Sequence, residues 1–182
     1  MYEFVLLENL NRFNMKTLLS ALTRWSNVFS LNFPLKGYGT NARLIEAGMK
    51  GLEEFVITTE TFDLGSHASI NKRYEFNQES LAKLVELSDD WNDWEWSKDM
   101  PEELILYRRD SELVLFEAYK LGETYFAILN QTEHLFLQTV LGTRLPFKRI
   151  VEFEPLSQFD VEKPRTSGAV RSYLKALASV PK

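Results

Sequence analysis

The chain of 182 residues contains no cysteine and only two histidines. The absence of cysteine excludes disulfide bonds, thiolate metal sites and thiol nucleophiles, and it agrees with a reducing compartment. The chain also has no apolar run of about 18 residues, the length that a membrane-spanning helix needs. Its apolar start lacks the basic region and the small-residue cleavage site of a signal peptide. We therefore expect a soluble cytoplasmic protein that does not bind membranes.

Basic residues are too few to balance the acids, because 21 lysines and arginines face 26 aspartates and glutamates and leave a net charge of −5. A chain of this sign has no general attraction for nucleic acid or for anionic membranes. The charge is unevenly spread, since residues 89–103 contain seven acids against Lys98 while residues 161–182 are basic. We expect no direct binding to nucleic acid, and a basic protein is the better match as a partner.

Neither an internal repeat nor a low-complexity segment divides the chain, and its apolar content of 45% is that of an ordinary globular core. We predict a single α+β domain over residues 1–160. Residues 161–182 include Arg165, Arg171 and Lys175 and are predicted to form a basic tail or a short docking helix. The sequence does not indicate the oligomeric state.

The clearest structural signal lies in residues 103–129. Three segments rich in apolar and aromatic residues, ELILYRR, ELVLFEAYK and TYFAIL, are separated by short turns. Turns of this length predict an antiparallel β-meander. Apolar residues occupy both parities of the middle segment, so Leu115 is predicted on one face and Val114 and Phe116 on the other. Both faces of the sheet are therefore expected to be at least partly covered, with additional strands and packed helices around the meander.

Three helices are predicted from apolar spacing and capping residues. The first covers residues 15–29, with Asn14 as its N-cap. Another follows Asn77, which is in position to cap it. The segment QTEHLFLQTVLG fits a helix or a strand, and we favour a helix that Thr132 caps and Gly142 ends.

The remaining segments are predicted from β-branched and aromatic content and from turn residues. Residues 2–7 are predicted as an edge strand, residues 53–62 as a further strand and residues 147–156 as the last strand. Residues 63–76 are interpreted as a loop or an irregular hairpin. A short helix is expected to end near Gly51.

Catalytic motifs are scarce, since only His67 and His134 can serve as imidazole bases or ligands and neither lies in an H-E-x-x-H array. The DLGSH segment places Asp63 near Ser66 and His67, but neighbours in sequence do not by themselves form a hydrogen-bonded triad. The loop at Gly37–Gly39 lacks the other residues of a phosphate-binding motif. We predict no catalytic, cofactor-binding or metal-binding residues. The alternative is a small hydrolase or ligand-binding protein that uses His67, Asp63 and Gly37–Gly39.

The most unusual stretch is SDDWNDWEWSKDMPEE, residues 88–103, which places three tryptophans among seven carboxylates and one lysine. Its carboxylates lack the spacing of an EF-hand calcium loop. Tryptophan is enriched at the centres of protein interfaces, and surrounding carboxylates steer a basic partner toward the surface. We predict a partner-binding surface formed by five residues: Asp93, Trp94, Glu95, Trp96 and Asp99.

The three tryptophans are predicted to have different roles. Helical spacing after Asn77 carries Trp91 onto the apolar stripe, whereas Trp94 and Trp96 fall out of phase with it. In the alternative, all three pack the preceding helix onto the sheet. The predicted function is a non-enzymatic protein-binding domain. Its most concrete form is an immunity-type inhibitor of a basic toxin or nuclease, because an acidic surface can occupy a cleft built for phosphate.

Overall fold

The predicted meander is the centre of the fold. The computed structural model describes residues 2–7, 12–34, 51–63, 68–87, 101, 103–119, 124–142 and 147–153. Three consecutive antiparallel strands lie where the sequence predicts the meander over residues 103–129. In chain order the strands are β1 (Tyr2–Leu7), β2 (Ser26–Pro34), β3 (Val56–Asp63), β4 (Ala68–Glu75), β5 (Glu103–Arg108), β6 (Val114–Tyr119), β7 (Thr124–Asn130) and β8 (Phe147–Phe153).

These eight strands form one open sheet in the order β3-β4-β2-β5-β6-β7-β1-β8, and every neighbouring pair is antiparallel. The described helices are α1 (Arg12–Leu22), α2 (Gln78–Leu87) and α3 (Gln131–Leu141). All three contribute to the same buried cluster as the sheet. The prediction of a single α+β domain with an antiparallel sheet is confirmed.

The main core lies between the three helices and one face of the sheet. On α1, Leu18 and Leu22 are spaced by one helical turn and are fully buried. On β2 every second residue faces them, which buries Phe29, Leu31 and Phe33 completely. Burial of each such side chain stabilises the fold by about 1.5–3 kcal/mol.

The second face of the sheet carries its own buried apolar cluster. Its buried members all come from strands: Ile105, Tyr107, Val114, Phe126 and Ile128. The described helices contribute to the main core and not to this cluster. Buried side chains on both faces confirm the prediction that both faces of the meander are at least partly covered.

The predicted helix over residues 15–29 extends too far. α1 ends at Leu22, the chain turns, and β2 begins at Ser26. Phe29 fits the helical period as well as the strand period, and the pairing of residues 28–34 with β4 shows that the strand prevails. Asn14, the predicted N-cap, lies inside α1 and is buried.

Two other strand predictions need correction. Residues 2–7 form a strand but not an edge strand, because β1 pairs with both β7 and β8. Residues 63–76, predicted as a loop or an irregular hairpin, contain the regular strand β4, which pairs with both β2 and β3. In both cases the deciding partner is a strand distant in sequence, so local propensity could not reveal it.

A β-bulge changes the predicted faces of β6. The pairing with β5 passes from Phe116 to Val114 and skips Leu115. Leu115 therefore joins the main core on the same side as Phe116, whereas Val114 joins the second cluster. The predicted alternation was wrong at this point because a bulge inserts one extra residue.

Side-chain caps begin two of the helices. The carboxamide oxygen of Asn77 accepts hydrogen bonds from the backbone N–H groups of Glu79 and Ser80 at 2.9 Å, as predicted. α3 is a helix, but its N-cap is Asn130 and not Thr132. Asn130 and Glu133 form a reciprocal capping box, which satisfies two backbone donors at once. We missed it because the N-x-x-E spacing begins two residues before the predicted cap.

Several predictions concern parts of the chain that the structure does not describe. They are the short helix expected to end near Gly51, the basic tail or docking helix of residues 161–182, and the domain boundary at residue 160. The strands predicted at residues 53–62 and 147–156 are confirmed as β3, which a short 3-10 turn precedes, and β8. In the described part of the chain, no helix combines the length and apolar character needed to cross a membrane.

Candidate functional site

The predicted partner-binding surface belongs to the link between α2 and β5. Its residues lie outside the described ranges: Asp93, Trp94, Glu95, Trp96 and Asp99. Trp91 lies outside them as well. Both ends of the link are placed, because α2 ends at Leu87 and the buried Pro101 leads into β5 near the centre of the sheet. The roles of the three tryptophans stay predictions.

The catalytic alternative involves residues that are only partly described. Asp63 is the last residue of β3, while His67 and Gly37–Gly39 lie outside the described ranges. His134 lies on α3 and contacts Glu3 of β1. Strand β1 is six strand spacings from β3, which amounts to roughly 29 Å at about 4.8 Å per spacing. This separation keeps Asp63 away from His134, and the role of His67 in the catalytic alternative stays a prediction.

His134 and Glu3 connect α3 to the sheet. The Nδ1 atom of His134 lies within hydrogen-bonding distance of Oε2 of Glu3, and the two side chains are 17% and 16% exposed. The second ring nitrogen, Nε2, is buried. A general base must present its second nitrogen to a substrate, and a buried atom has no such access. We interpret this pair as a structural contact.

A buried ion pair joins β5 to the start of α3. The guanidinium of Arg108 donates to both carboxylate oxygens of Glu133 at 2.6 and 2.8 Å, and to the carbonyl oxygen of Ile128 at 2.6 Å. It also lies 4.5 Å from the ring centroid of Tyr2. Glu133 is 4% exposed, so this pair is shielded from solvent. Sequence interpretation missed the pair, and the capping-box spacing at residues 130–133 is its one local signal.

Polar contacts also cross the second face of the sheet. The hydroxyl groups of Ser30 on β2 and Tyr107 on β5 share a hydrogen bond of 3.2 Å. Arg73 on β4 lies with its guanidinium 4.6 Å from the ring centroid of Tyr107 and donates to both carboxylate oxygens of Glu112 at 2.9 and 2.5 Å. These contacts connect three neighbouring strands and the turn before β6.

Burial changes the acid–base properties of two tyrosines. Burial raises the pKa of Tyr107, although the hydrogen bond with Ser30 and the charge of Arg73 act in the opposite direction. Burial also raises the pKa of Tyr74, and the negative charge of Glu53 adds to the effect. Both phenols therefore stay neutral near pH 7, which makes neither of them a phenolate base or nucleophile.

Two carboxylates lie buried on the second face. Glu103 is 1% exposed and accepts a hydrogen bond from the side-chain amide of Asn32 at 3.2 Å, and Glu117 is fully buried. Within the described ranges, no three histidine, aspartate or glutamate side chains come together as metal ligands would. These acids therefore give no indication of a metal site.

The strand β3 presents an exposed, acidic edge. It is the last strand at one end of the sheet and pairs with β4. All residues from 56 to 61 are exposed, on both faces of the strand, and they include Val56 at 37% and Ile57 at 53%. The stretch from residue 53 to 63 has no lysine or arginine and four acids: Glu53, Glu54, Glu60 and Asp63.

No protein-family model matches this chain, and neither the curated proteins nor the solved structures include a match to it. Function is therefore inferred from the residues of this chain alone.

Proposed function

We propose that this protein is a non-enzymatic protein-binding domain that recognises a basic partner in the cytoplasm. Its binding surface is the acidic, tryptophan-rich link between α2 and β5. The observation that carries this proposal is the composition of residues 88–103, with three tryptophans and seven carboxylates against one lysine. Tryptophan buries a large area with few rotatable bonds, so it supplies binding energy at a small entropic cost.

The negative charge of the link is suited to steering a basic partner. Steering depends on the summed charge around a surface and falls with added salt, because the screening length at physiological ionic strength is about 8 Å. The described surface adds exposed carboxylates of its own, including Glu53, Glu54 and Glu60. The net charge of −5 gives the whole chain the same sign.

The proposal is tested with a charge-neutralised variant and a matched control. The test variant combines Asp93→Asn, Glu95→Gln and Asp99→Asn. The control variant removes the same number of negative charges at exposed positions outside the link. It combines Glu79→Gln, Glu86→Gln and Asp110→Asn. Asp110 has a backbone φ of 55°, a conformation that asparagine also adopts readily.

Tagged parent and variant proteins are used to capture partners from a lysate of the native host. We expect the control to capture a basic partner efficiently at low salt, where the test variant captures less of it, and we expect this difference to shrink as salt is raised. If the test variant keeps the same partner with the same salt sensitivity, the link is only a solvated acidic segment and the proposed surface is wrong.

An immunity-type inhibitor is the most specific form of this proposal, since acidic residues can fill a cleft that normally holds phosphate groups. Expression of the captured partner in a heterologous host tests this form. We expect the partner to arrest growth alone and to be neutralised when this protein is expressed with it. A partner that is harmless, or that stays toxic in the presence of this protein, would contradict the inhibitor form.

A further inference from the structure

The strand β3 differs from the inner strands in the way it is held. Its side chains from Val56 to Thr61 are all exposed, whereas alternate residues of β2 are fully buried. Anchoring contacts lie just before the strand, where Leu52 and Phe55 are buried. The side chains of residues 56–61 therefore contribute little burial, and this part of β3 is held by its ladder with β4 and by the turn that precedes the strand.

The sequence of β3 nevertheless strongly favours a strand. Five of the six exposed residues in VITTET are β-branched, and β-branched residues favour the extended conformation. The strand is eight residues long, which exceeds the usual length of about 5–6 residues. An exposed edge of this kind leaves a row of N–H and C=O groups that another strand can use.

In the described part of the chain, β3 lacks several of the features that protect a sheet edge. Proteins usually place lysine or proline on an edge strand or keep the strand short. β3 contains neither residue. It has a bulge at Ile57 and the negative charge of Glu60, and the six residues beyond the bulge continue in regular register with β4. A segment of six paired residues is long enough to accept another strand.

We propose that β3 pairs with an extended, basic segment of the partner, which adds a ninth strand to the sheet by β-augmentation. This inference rests on the proposed function, because it takes the partner to be a basic protein. Charge complementarity favours a basic segment as the occupant. Residues 53–63 carry four acids and no lysine or arginine. Lys72 on the neighbouring strand β4 is half-buried, so it offsets this negative charge only in part. Lysine or arginine opposite Glu60 would form a favourable cross-strand pair.

A second copy of this chain is a poorer occupant. Two β3 regions would bring four carboxylates from each copy into one interface without a lysine or arginine from either strand. Each copy also carries a net charge of −5. Like charges that face each other across a strand pair are destabilising, so charge disfavours self-pairing.

The test uses a short synthetic peptide that alternates lysine with valine, together with the parent protein. The readout is hydrogen exchange of each backbone amide in β3, measured by NMR. In an antiparallel edge strand, alternate residues direct their N–H groups outward. We expect the peptide to slow exchange at alternate residues of β3, because those N–H groups gain a hydrogen-bond partner. The control peptide has the same sequence with every backbone nitrogen methylated, so it keeps the charge but cannot donate ladder hydrogen bonds.

A lysine variant and its matched control separate edge pairing from general charge attraction. The edge variant is Thr61→Lys, whose partner on β4 is Ile70, and the control is Gln138→Lys on the exposed side of α3. Both variants gain the same charge at exposed positions. We expect the Kd of the peptide to rise about tenfold or more in the edge variant, since lysine on the edge repels the lysines of the peptide. The control should stay close to the parent protein.

Three results would overturn the inference. The first is binding of the peptide without alternate protection in β3, and the second is no binding at all. The third is dimerisation of the parent protein with protection of β3, which would assign the edge to a second copy.

The captured partner distinguishes failure of this inference from failure of the proposed function. If the edge variant retains the partner and the variant of Asp93, Glu95 and Asp99 loses it, the edge inference is wrong and the proposed surface stands. If the edge variant loses the partner and the other variant retains it, the proposed surface is wrong and pairing at β3 remains supported.

Discussion

The buried pair of Arg108 and Glu133 allows the most quantitative prediction for stability. In Arg108→Met, Glu133 keeps its place in the capping box but loses both guanidinium hydrogen bonds. Removal of one partner from a buried ion pair costs about 3–5 kcal/mol, because the remaining charge is left without compensation. A typical domain is stable by about 5–15 kcal/mol, so this variant should lose a large share of its free energy of unfolding.

The adjacent arginine supplies the control. Arg109 is exposed and donates to the carbonyl oxygen of Thr23 at 3.3 Å. The same substitution at this position, Arg109→Met, should cost about 0.5 kcal/mol or less. Urea unfolding followed by tryptophan fluorescence gives the free energy of unfolding of both variants.

A double variant tests whether the loss comes from the unpaired charge. Arg108→Met with Glu133→Gln removes both charges, and glutamine can still take part in the capping box. We expect this double variant to be more stable than Arg108→Met alone, with a coupling energy of about 2 kcal/mol or more. An Arg108→Met variant as stable as Arg109→Met would refute the reasoning. The reasoning would also be refuted if the double variant lost as much free energy of unfolding as Arg108→Met and Glu133→Gln lose in sum.

Other perturbations address separate features of the chain. The pKa values of Tyr74 and Tyr107 are higher in the folded protein than in the unfolded chain. Above about pH 10 the unfolded chain therefore releases the phenolic protons first. The free energy of unfolding should be constant with respect to these groups below that pH and should fall above it. Urea unfolding at increasing pH should show this loss, and Tyr107→Phe should reduce it. Asn130→Ala should lower the free energy of unfolding by about 1 kcal/mol, whereas Thr132→Ala should leave it almost unchanged; equal losses would contradict the assigned cap. Trp91→Ala should cost about 3–5 kcal/mol if the ring is buried, and an unchanged melting temperature would show that Trp91 is not part of the core.

The elements whose determinants are local could be predicted from the sequence. Residues 103–129 contain three segments of high β-propensity and two short turns, which leave few alternatives to a meander. The cap at Asn77 and the helix that follows it were also readable, because Asn77 bonds to backbone groups only two and three residues away. The same locality explains why the buried stripe of α1 was recognised even though its end was misplaced.

Features that depend on distant partners could not be predicted in this way. β1 is an inner strand because β8, from the other end of the described chain, pairs with it. Arg108 gains its partner from a helix that begins after two further strands. The exposed edge of β3 likewise follows from the order of the strands, and the VITTET sequence alone would suit an inner strand equally well.

The candidate surface also has features that depend on local sequence and features that depend on the fold. Its composition is local, so the sequence identifies Asp93, Trp94, Glu95, Trp96 and Asp99 without any knowledge of the fold. Exposure of Trp94 and Trp96 depends on how the link packs, which composition does not specify.

The most direct test of the proposed function is the association rate of the captured partner at several salt concentrations. Stopped-flow fluorescence would compare the parent protein, the variant of Asp93, Glu95 and Asp99, and the control in which Glu79, Glu86 and Asp110 are neutralised. We predict that the parent and the control associate rapidly at low salt, that the test variant is slower by about tenfold, and that the three rates converge at high salt. Equal rates for the test variant and the control at low salt would contradict recognition of a basic partner through this link.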